Sequence, residues 1–174
     1  MMQKRQIPFM EGKSVNLRML RQSDLALTLA WRNKPEIRRW FFYSEIISSE
    51  QHIAWFEQYR HKPDDYVFII EDRVENAGSV VQVSLYNLDF ERGTAEFGRL
   101  MIGEDAARGK GFAAEATRLI LKLAFETFKL RQVYLSVYKD NKPAVAIYRK
   151  CGFEVDNLVD DMYRMSIQNP DSIP

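Results

Sequence analysis

The run Arg108-Gly109-Lys110-Gly111-Phe112-Ala113 separates an extended segment, Thr94 to Ile102, from a long helical one. In the latter, Ala113, Ala116, Leu119, Ile120, Leu123 and Phe128 recur at helical spacing through about residue 129. A strand that turns into a helix through two glycines flanked by two cations is suited to one task above others. The first backbone N–H groups of a helix have no intrahelical partner and carry a partial positive charge, so they attract phosphate. Glycine lets the backbone come close and adopt positive φ. Arg108 and Lys110 add mobile charge. A glycine that merely turns the chain explains less of this combination.

Reading outward, three β-rich runs precede the turn: Tyr66 to Ile70, Ser79 to Tyr86 and Thr94 to Ile102. Turn residues lie between them, which predicts an antiparallel meander. Further upstream, Val15 to Leu20 alternates as a short strand, and Ser23-Asp24 opens a helix ending near Asn33-Lys34-Pro35. A short helical piece follows, Glu36 to Trp40, and then a helix behind Ser48-Ser49-Glu50 that ends at the His61-Lys62-Pro63 cluster. Downstream of the turn, Gln132 to Tyr138 reads as a strand. Lys142-Pro143 starts a helix running to Lys150, and Gly152 stops it. Short strands near 153–155 and 162–167 close the chain. No repeat, linker or low-complexity tract interrupts it, so one domain over 1–174, with its core at about 14–167, is expected.

Composition bounds the function. A 174-residue chain with 46% apolar and 28% charged residues is ordinary globular material. Its formal net charge of +1 gives no general pull toward nucleic acid. The charge is uneven, since residues 1–62 hold eleven Lys/Arg against six Asp/Glu, which suits either a plain basic surface or the reception of an anionic substrate. The single cysteine, Cys151, forbids an intrachain disulfide, and two histidines give a metal site almost no material, so no metal is expected. No leader-like apolar stretch opens the chain and none is long enough to span a bilayer. A cytoplasmic protein without nucleic-acid or membrane partners is expected; a homodimer is left open.

The phosphate-bearing ligand needs its own argument. The turn lacks the glycine spacing and the Ser/Thr of a P-loop. Gly109 to Ala114 does fit G-x-G-x-x-A, the dinucleotide fingerprint, but antiparallel strands precede it and too little chain follows Asp140 for the remaining βα units. A dinucleotide oxidoreductase is therefore the more distant reading.

Taken with a second block, the turn resembles the GNAT superfamily of acyl-CoA N-acyltransferases. Arg108 to Ala113 matches that family's Arg/Gln-x-x-Gly-x-Gly/Ala signature. The run Asn141 to Phe153 resembles its Asn…Ala…Tyr…Gly-Phe block in order and separation. One departure is the approach Gly103 to Ala107, where many relatives have a proline. The resemblance implies a single-domain α/β fold with a mixed, twisted sheet of about seven strands, flanking helices, and fourth and fifth strands that splay to admit pantetheine. It implies acetyl-CoA as acetyl donor, bound by Arg108, Gly109, Lys110, Gly111, Phe112, Ala113 and Asn141, with backbone amides of Leu100, Met101 and Ile102 along the pantetheine. Tyr148 would be the general acid for the departing thiolate. Glu96, flanked by Ala95 and Phe97, is the candidate general base, although a solvent-facing strand carboxylate reads equally well from sequence. Cys151 could suggest an acyl-cysteine, but it ends a helix and nothing nearby lowers its pKa, so a structural role is expected.

The resemblance further implies a primary amine on a small molecule as acceptor. Trp31, Arg32, Arg38, Arg39 and Trp40 form a dense aromatic and cationic set, with His52 and Trp55 following. The Trp31-Arg32-Asn33 start and the Glu96-Phe97-Gly98 run resemble the branch that acetylates nucleotide-linked amino-deoxysugars. Aromatics could stack a base and arginines pair with a diphosphate. The ribosomal-protein N-terminal acetyltransferase branch is also similar. A non-catalytic acyl-CoA-binding module is the alternative from another class.

Overall fold

Tyr66 to Ile70 is apolar at every position because the strand that contains it is covered on both faces. In the computed structural model, which describes residues 3–172, this strand is β3 (Asp65–Asp72). Met1, Met2, Ile173 and Pro174, at the ends of the expected 1–174 domain, lie outside the described residues. The alternate side chains Tyr66, Phe68 and Ile70 enter the main core, whereas Val67 and Ile69 enter a second one on the opposite face. Side chains of a strand alternate faces with period 2, so an unbroken apolar run needs two covers.

The covers are helices. The remaining strands are β1 (Met10–Glu11), β2 (Val15–Met19), β4 (Gly78–Asp89), β5 (Thr94–Ile102), β6 (Gln132–Tyr138), β7 (Glu154–Val159) and β8 (Met162–Gln168). They form one sheet in the order β1-β2-β3-β4-β5-β6-β8-β7, antiparallel throughout except between β5 and β6. Of the helices, α1 (Leu25–Asn33), α2 (Pro35–Arg38) and α3 (Ser49–Tyr59) precede β3, α4 (Phe112–Lys122) joins β5 to β6, and α5 (Lys142–Lys150) follows β6. Ala116 and Ile120 of α4, with Val145 and Tyr148 of α5, pack on the face of Phe68 and Ile70. Phe56 and Tyr59 of α3, with Leu25 of α1, cover Val67 and Ile69.

Local chemistry sets the helix ends. Ser48 and Gln51 exchange side-chain and backbone hydrogen bonds across the first turn of α3, which satisfies two otherwise orphaned donors. Beneath the start of α1, Arg18 reaches Asp24 through both terminal nitrogens at 2.8 and 2.9 Å and Glu71 through Nε at 2.5 Å. Asp24, expected as a helix cap, instead spends its carboxylate on this guanidinium and on the backbone N–H of Arg21.

The mixed sheet is as anticipated, with eight strands rather than about seven. The additional one, β1, is two residues long and exists only because Met10 and Glu11 pair with Leu17 and Asn16. The short strand expected at 153–155 extends to Val159, supported by pairing with β8. The long helix after the glycine turn stays regular to Lys122 and then widens into a π-helical turn over Leu123–Thr127, where the Phe128 N–H reaches the Leu123 carbonyl.

Candidate active site

Strands β5 and β6 run in parallel for three residue pairs only: Thr94 with Gln132, Ala95 with Val133, and Glu96 with Tyr134. Beyond Glu96 they separate. The β5 edge from Phe97 to Ile102 therefore has no strand beside it there, while β6 stays paired with β8 on its other edge. A bulge assists the separation. Gln82 of β4 opposes Met101 and Ser84 opposes Gly98, so Val83 alone faces both Arg99 and Leu100. Arg99 takes the left-handed φ of 51° that this requires, held by an ion pair to Asp65 at 2.8 Å and by the Tyr86 ring 4.1 Å away. A cavity of about 450 Å³ occupies the gap, with residues 96–102 of β5 on one wall and residues 136–138 of β6 on the other. Unpaired peptide groups along an open strand edge can bind the amides of an extended ligand.

At the far end of β5 lies the glycine turn. Gly109 and Gly111 have φ of 74° and 78°, and a Cβ at either would meet nothing, so glycine is required there by conformation rather than by space. Gly111 precedes α4 without any side-chain cap, and the first N–H to find the carbonyl four residues back is that of Glu115. The N–H groups at the start of α4 thus remain available to an anion. Arg108 lines the cleft and leans on Asp105 at 3.2 Å, whereas Lys110 points to Glu75 at 2.6 Å. Asn141 lines the same cleft and caps α5, its Oδ1 accepting from the Ala144 N–H at 3.4 Å. An open strand edge leading to an uncapped helix start is the shape and chemistry that an amide-bearing arm ending in a diphosphate would need.

Two candidate acid–base groups meet at this cleft. Glu96 lines it, which decides the facing that sequence left open. It stands where the strands part, in cross-strand register with Tyr86 on one side and Tyr134 on the other, and Asn87 Nδ2 donates to its Oε2 at 3.0 Å. Burial, and after it the carboxylate of Glu96, raise the pKa of both tyrosines. Tyr148 projects from α5 into the cleft wall, with its ring edge-on to Phe97 (centroids 5.7 Å apart) and Phe153 (6.0 Å). No described residue hydrogen-bonds its hydroxyl. Burial, with Cys151 a lesser cause, raises its pKa, so the phenol keeps its proton at neutral pH. Cys151 donates its thiol to the Ala114 carbonyl at 3.4 Å, and burial raises its pKa as well. A thiol held protonated against a helix is a packing group rather than a nucleophile. Among the described residues, no group of three or more His, Cys, Asp or Glu side chains could hold a metal ion, and no helix is long and apolar enough to cross a membrane.

The family model of the GNAT acetyltransferase domain matches residues 14–154, most of the chain. The chain belongs to the GNAT acetyltransferase family. It is 29% identical over 161 residues to the spermidine N(1)-acetyltransferase of Escherichia coli K12, covering 89% of this chain and 84% of that one. It is 23% identical over 159 residues to the acetyltransferase PseH of Campylobacter jejuni, covering 91% and 95%. The crystal structure of spermidine N-acetyltransferase from Vibrio cholerae in complex with CoA and spermine superposes with a TM-score of 0.82 at 26% identity, covering 90% of this chain and 96% of that one. The protein is accordingly an N-acetyltransferase that takes its acetyl group from acetyl-CoA. The mixed sheet and the family together set aside both the dinucleotide oxidoreductase and the non-catalytic module.

The acceptor side of this GNAT enzyme corrects part of the sequence reading. Trp31 is no ligand-facing residue: its side chain is 1% exposed and lines neither the cleft nor the cavity beside it. The ring lies flat on the backbone of Gly103, where a Cβ would stand 2.0 Å from Cδ2, and Nε1 donates to Glu104 at 2.8 Å. Trp31 thus fixes the Gly103 to Ala107 approach to the glycine turn. Arg38 faces neither cavity either, because its Nη1 donates to the Ser44 carbonyl at 2.6 Å. Arg39 and Trp40 do line the cleft, with the guanidinium 4.5 Å above the indole ring. Arg32 opens onto a second cavity behind Arg99 and Met101. Among the proposed pantetheine contacts, Leu100 and Ile102 line the cleft, and Met101 lines both cavities. Sequence reasoning missed Tyr86, Phe42 and Tyr138. Trp40 and Phe42 each stand 6.3 Å from the Tyr138 ring, so the chain after α2 reaches across the gap to β6. The aromatic run Trp40-Phe41-Phe42-Tyr43 was the available signal.

Proposed function

We propose that this N-acetyltransferase acetylates the primary amine of an anionic acceptor, a nucleotide-linked amino-deoxysugar, by direct attack on acetyl-CoA. Glu96 takes the amine proton through Oε1, the oxygen that Asn87 leaves free. Backbone N–H groups of the open β5 edge polarise the thioester carbonyl. Tyr148 hands its phenolic proton to the sulfur as the C–S bond breaks and the new C–N bond forms. The free N–H groups at the start of α4, with Arg108, hold the diphosphate of CoA.

The anionic acceptor is supported by one observation above all. Arg39 lines the cleft and Arg32 the cavity beside it, and neither is paired with a carboxylate among the described residues. A polycation would meet repulsion there; a diphosphate would be drawn in. A second reading, an aliphatic polyamine, is favoured by the likeness to spermidine N-acetyltransferases and by Glu36, Glu96 and Asp140 on the cleft wall. Thiol release from acetyl-CoA separates the two. UDP- or dTDP-linked amino-deoxysugars are expected to turn over at least tenfold faster, as kcat/KM, than spermidine or peptides beginning with Ser or Ala. Turnover of spermidine with no turnover across the sugar class would refute the reading.

A further inference from the structure

Behind the acetyl-transfer cleft lies a second cavity of about 300 Å³, within the size range of small-molecule sites. Its lining includes Thr28, Arg32, Tyr43, His52, Trp55 and Gln82. Phe41, Arg99 and Met101 line this cavity and the cleft together, so one ligand can occupy both.

The charge in this cavity is uncompensated. Arg32 is 8% exposed, and its Nη1 is sealed from solvent without a hydrogen-bond partner. Nη2 donates to the Tyr43 carbonyl, and the guanidinium lies 3.9 Å from the centre of the Phe41 ring. Burial, then the charge of Arg38, work against its protonated form, yet a guanidinium stays charged in proteins. A buried cation is normally matched by a carboxylate. The other groups here do not supply one. His52 contacts Thr28 Oγ1 through Nε2 at 3.0 Å and stacks on Trp55 with centroids 5.3 Å apart; burial, then the charge of Arg32, lower its pKa and favour the neutral ring. Gln82, buried in the wall, is an uncharged amide.

We propose that this cavity is the acceptor's phosphate subsite: the Arg32 guanidinium, buried without a carboxylate, draws a phosphate-ester or diphosphate oxygen into the cavity it lines while the attached amine reaches Glu96 at the parting of β5 and β6. The stacked His52–Trp55 pair offers a flat wall to the group beyond the phosphate. The inference rests on the anionic-acceptor reading above and gives it a binding residue. Such a subsite would also exclude free polyamines, because Arg32 would repel them from the far end of the cleft.

The test uses enzyme already saturated with CoA, so that the turn at Gly109 to Gly111 is filled. UDP, pyrophosphate and uridine are titrated against tryptophan fluorescence in the wild type and in Trp55→Phe, Trp40→Phe, Arg32→Lys and Arg32→Gln. UDP and pyrophosphate are expected to quench the wild type and Trp40→Phe but not Trp55→Phe, with uridine at least tenfold weaker. Both Arg32 variants should weaken UDP binding about ten- to a hundredfold, the loss of a buried charge-assisted hydrogen bond. Should an Arg32 variant fail to fold, the Trp55→Phe comparison still locates the ligand. Uridine binding as well as UDP, quenching retained in Trp55→Phe, or displacement of UDP by further CoA would each overturn the subsite. Its failure is separable from that of the acceptor assignment. Arg32-dependent UDP binding without turnover of any nucleotide sugar upholds the cavity and removes the acceptor. Sugar turnover unchanged in Arg32→Gln does the reverse.

Discussion

Replacing Tyr148 by phenylalanine removes one oxygen and leaves the ring in place. The edge-on contacts to Phe97 and Phe153, at 5.7 and 6.0 Å, are made by ring carbons and survive the change. No described residue hydrogen-bonds the hydroxyl, so its loss should alter stability by less than about 0.5 kcal/mol. For a chain of this size that is about 1–2 °C in Tm. Catalysis should respond differently. A positioned general acid contributes roughly 10²- to 10⁴-fold. Burial raises the Tyr148 pKa above its ordinary value, which makes the phenol a reluctant donor and puts the expected loss at the low end. A hundredfold fall in kcat corresponds to about 2.7 kcal/mol of transition-state stabilisation. The same shift keeps the phenol protonated from pH 6 to 9, so the wild-type rate should show no alkaline loss from this group in that window. The assay is thiol release with varied acetyl-CoA, beside a circular-dichroism melt. The fall should appear in kcat, with the KM for acetyl-CoA within about threefold. A variant that melts with the wild type and turns over within threefold of it would refute the general-acid assignment and leave Tyr148 a packing residue.

Gly111→Ala forces a side chain into a left-handed conformation and should cost roughly 1 kcal/mol, about 2–4 °C in Tm, while reducing the thermal shift given by CoA; an unchanged CoA shift would argue against diphosphate binding at the start of α4. Asp24→Asn breaks the largely buried pair with Arg18, which keeps Glu71 as its remaining carboxylate, and should destabilise by roughly 2 kcal/mol, read as a Tm loss on the order of 4–8 °C. Burial alone would raise the Asp24 pKa, but the Arg18 hydrogen bonds and charge prevail and lower it. The stability from this pair is therefore full above the ordinary carboxylate range and is lost as pH falls through the depressed pKa, so the variant's melting temperature should depend less on pH below about 4 than the wild type's. Cys151→Ala should keep kcat within about twofold and yield no acetyl-enzyme adduct by mass spectrometry in either protein, because burial keeps the thiol protonated; a covalent acetyl adduct on the wild-type Cys151 would contradict direct attack.

What the sequence disclosed and what it concealed divide by the range of the interactions involved. The conformation of the glycine turn was legible because its requirements are local: two positive-φ positions and an uncapped helix start lie within four residues, and glycine is the signature of the first. Tyr148 was legible for a similar reason, since Asn141, Pro143 and Gly152 mark the ends of its helix and so its place along it. The facing of Glu96 was not. It depends on pairing with Tyr86 and Tyr134 on two different strands, and a one-residue slip would have turned it away. The bulge at Val83 deepens the problem, because it inserts a residue between Gly98 and Met101 and breaks the alternation from which facing is read. Trp31 failed in the opposite sense. Its neighbours Arg32 and Asn33 gave it the look of a ligand platform, but what buries it is the missing side chain of Gly103, more than seventy residues away. That contact has a functional consequence. The indole occupies the place that any larger residue at 103 would take and anchors Glu104, so the approach to the glycine turn is fixed from α1. In this chain the helices proposed to receive the amine and the loop that leads to the proposed diphosphate site are joined through one aromatic ring, and a change at Trp31 should be felt at both.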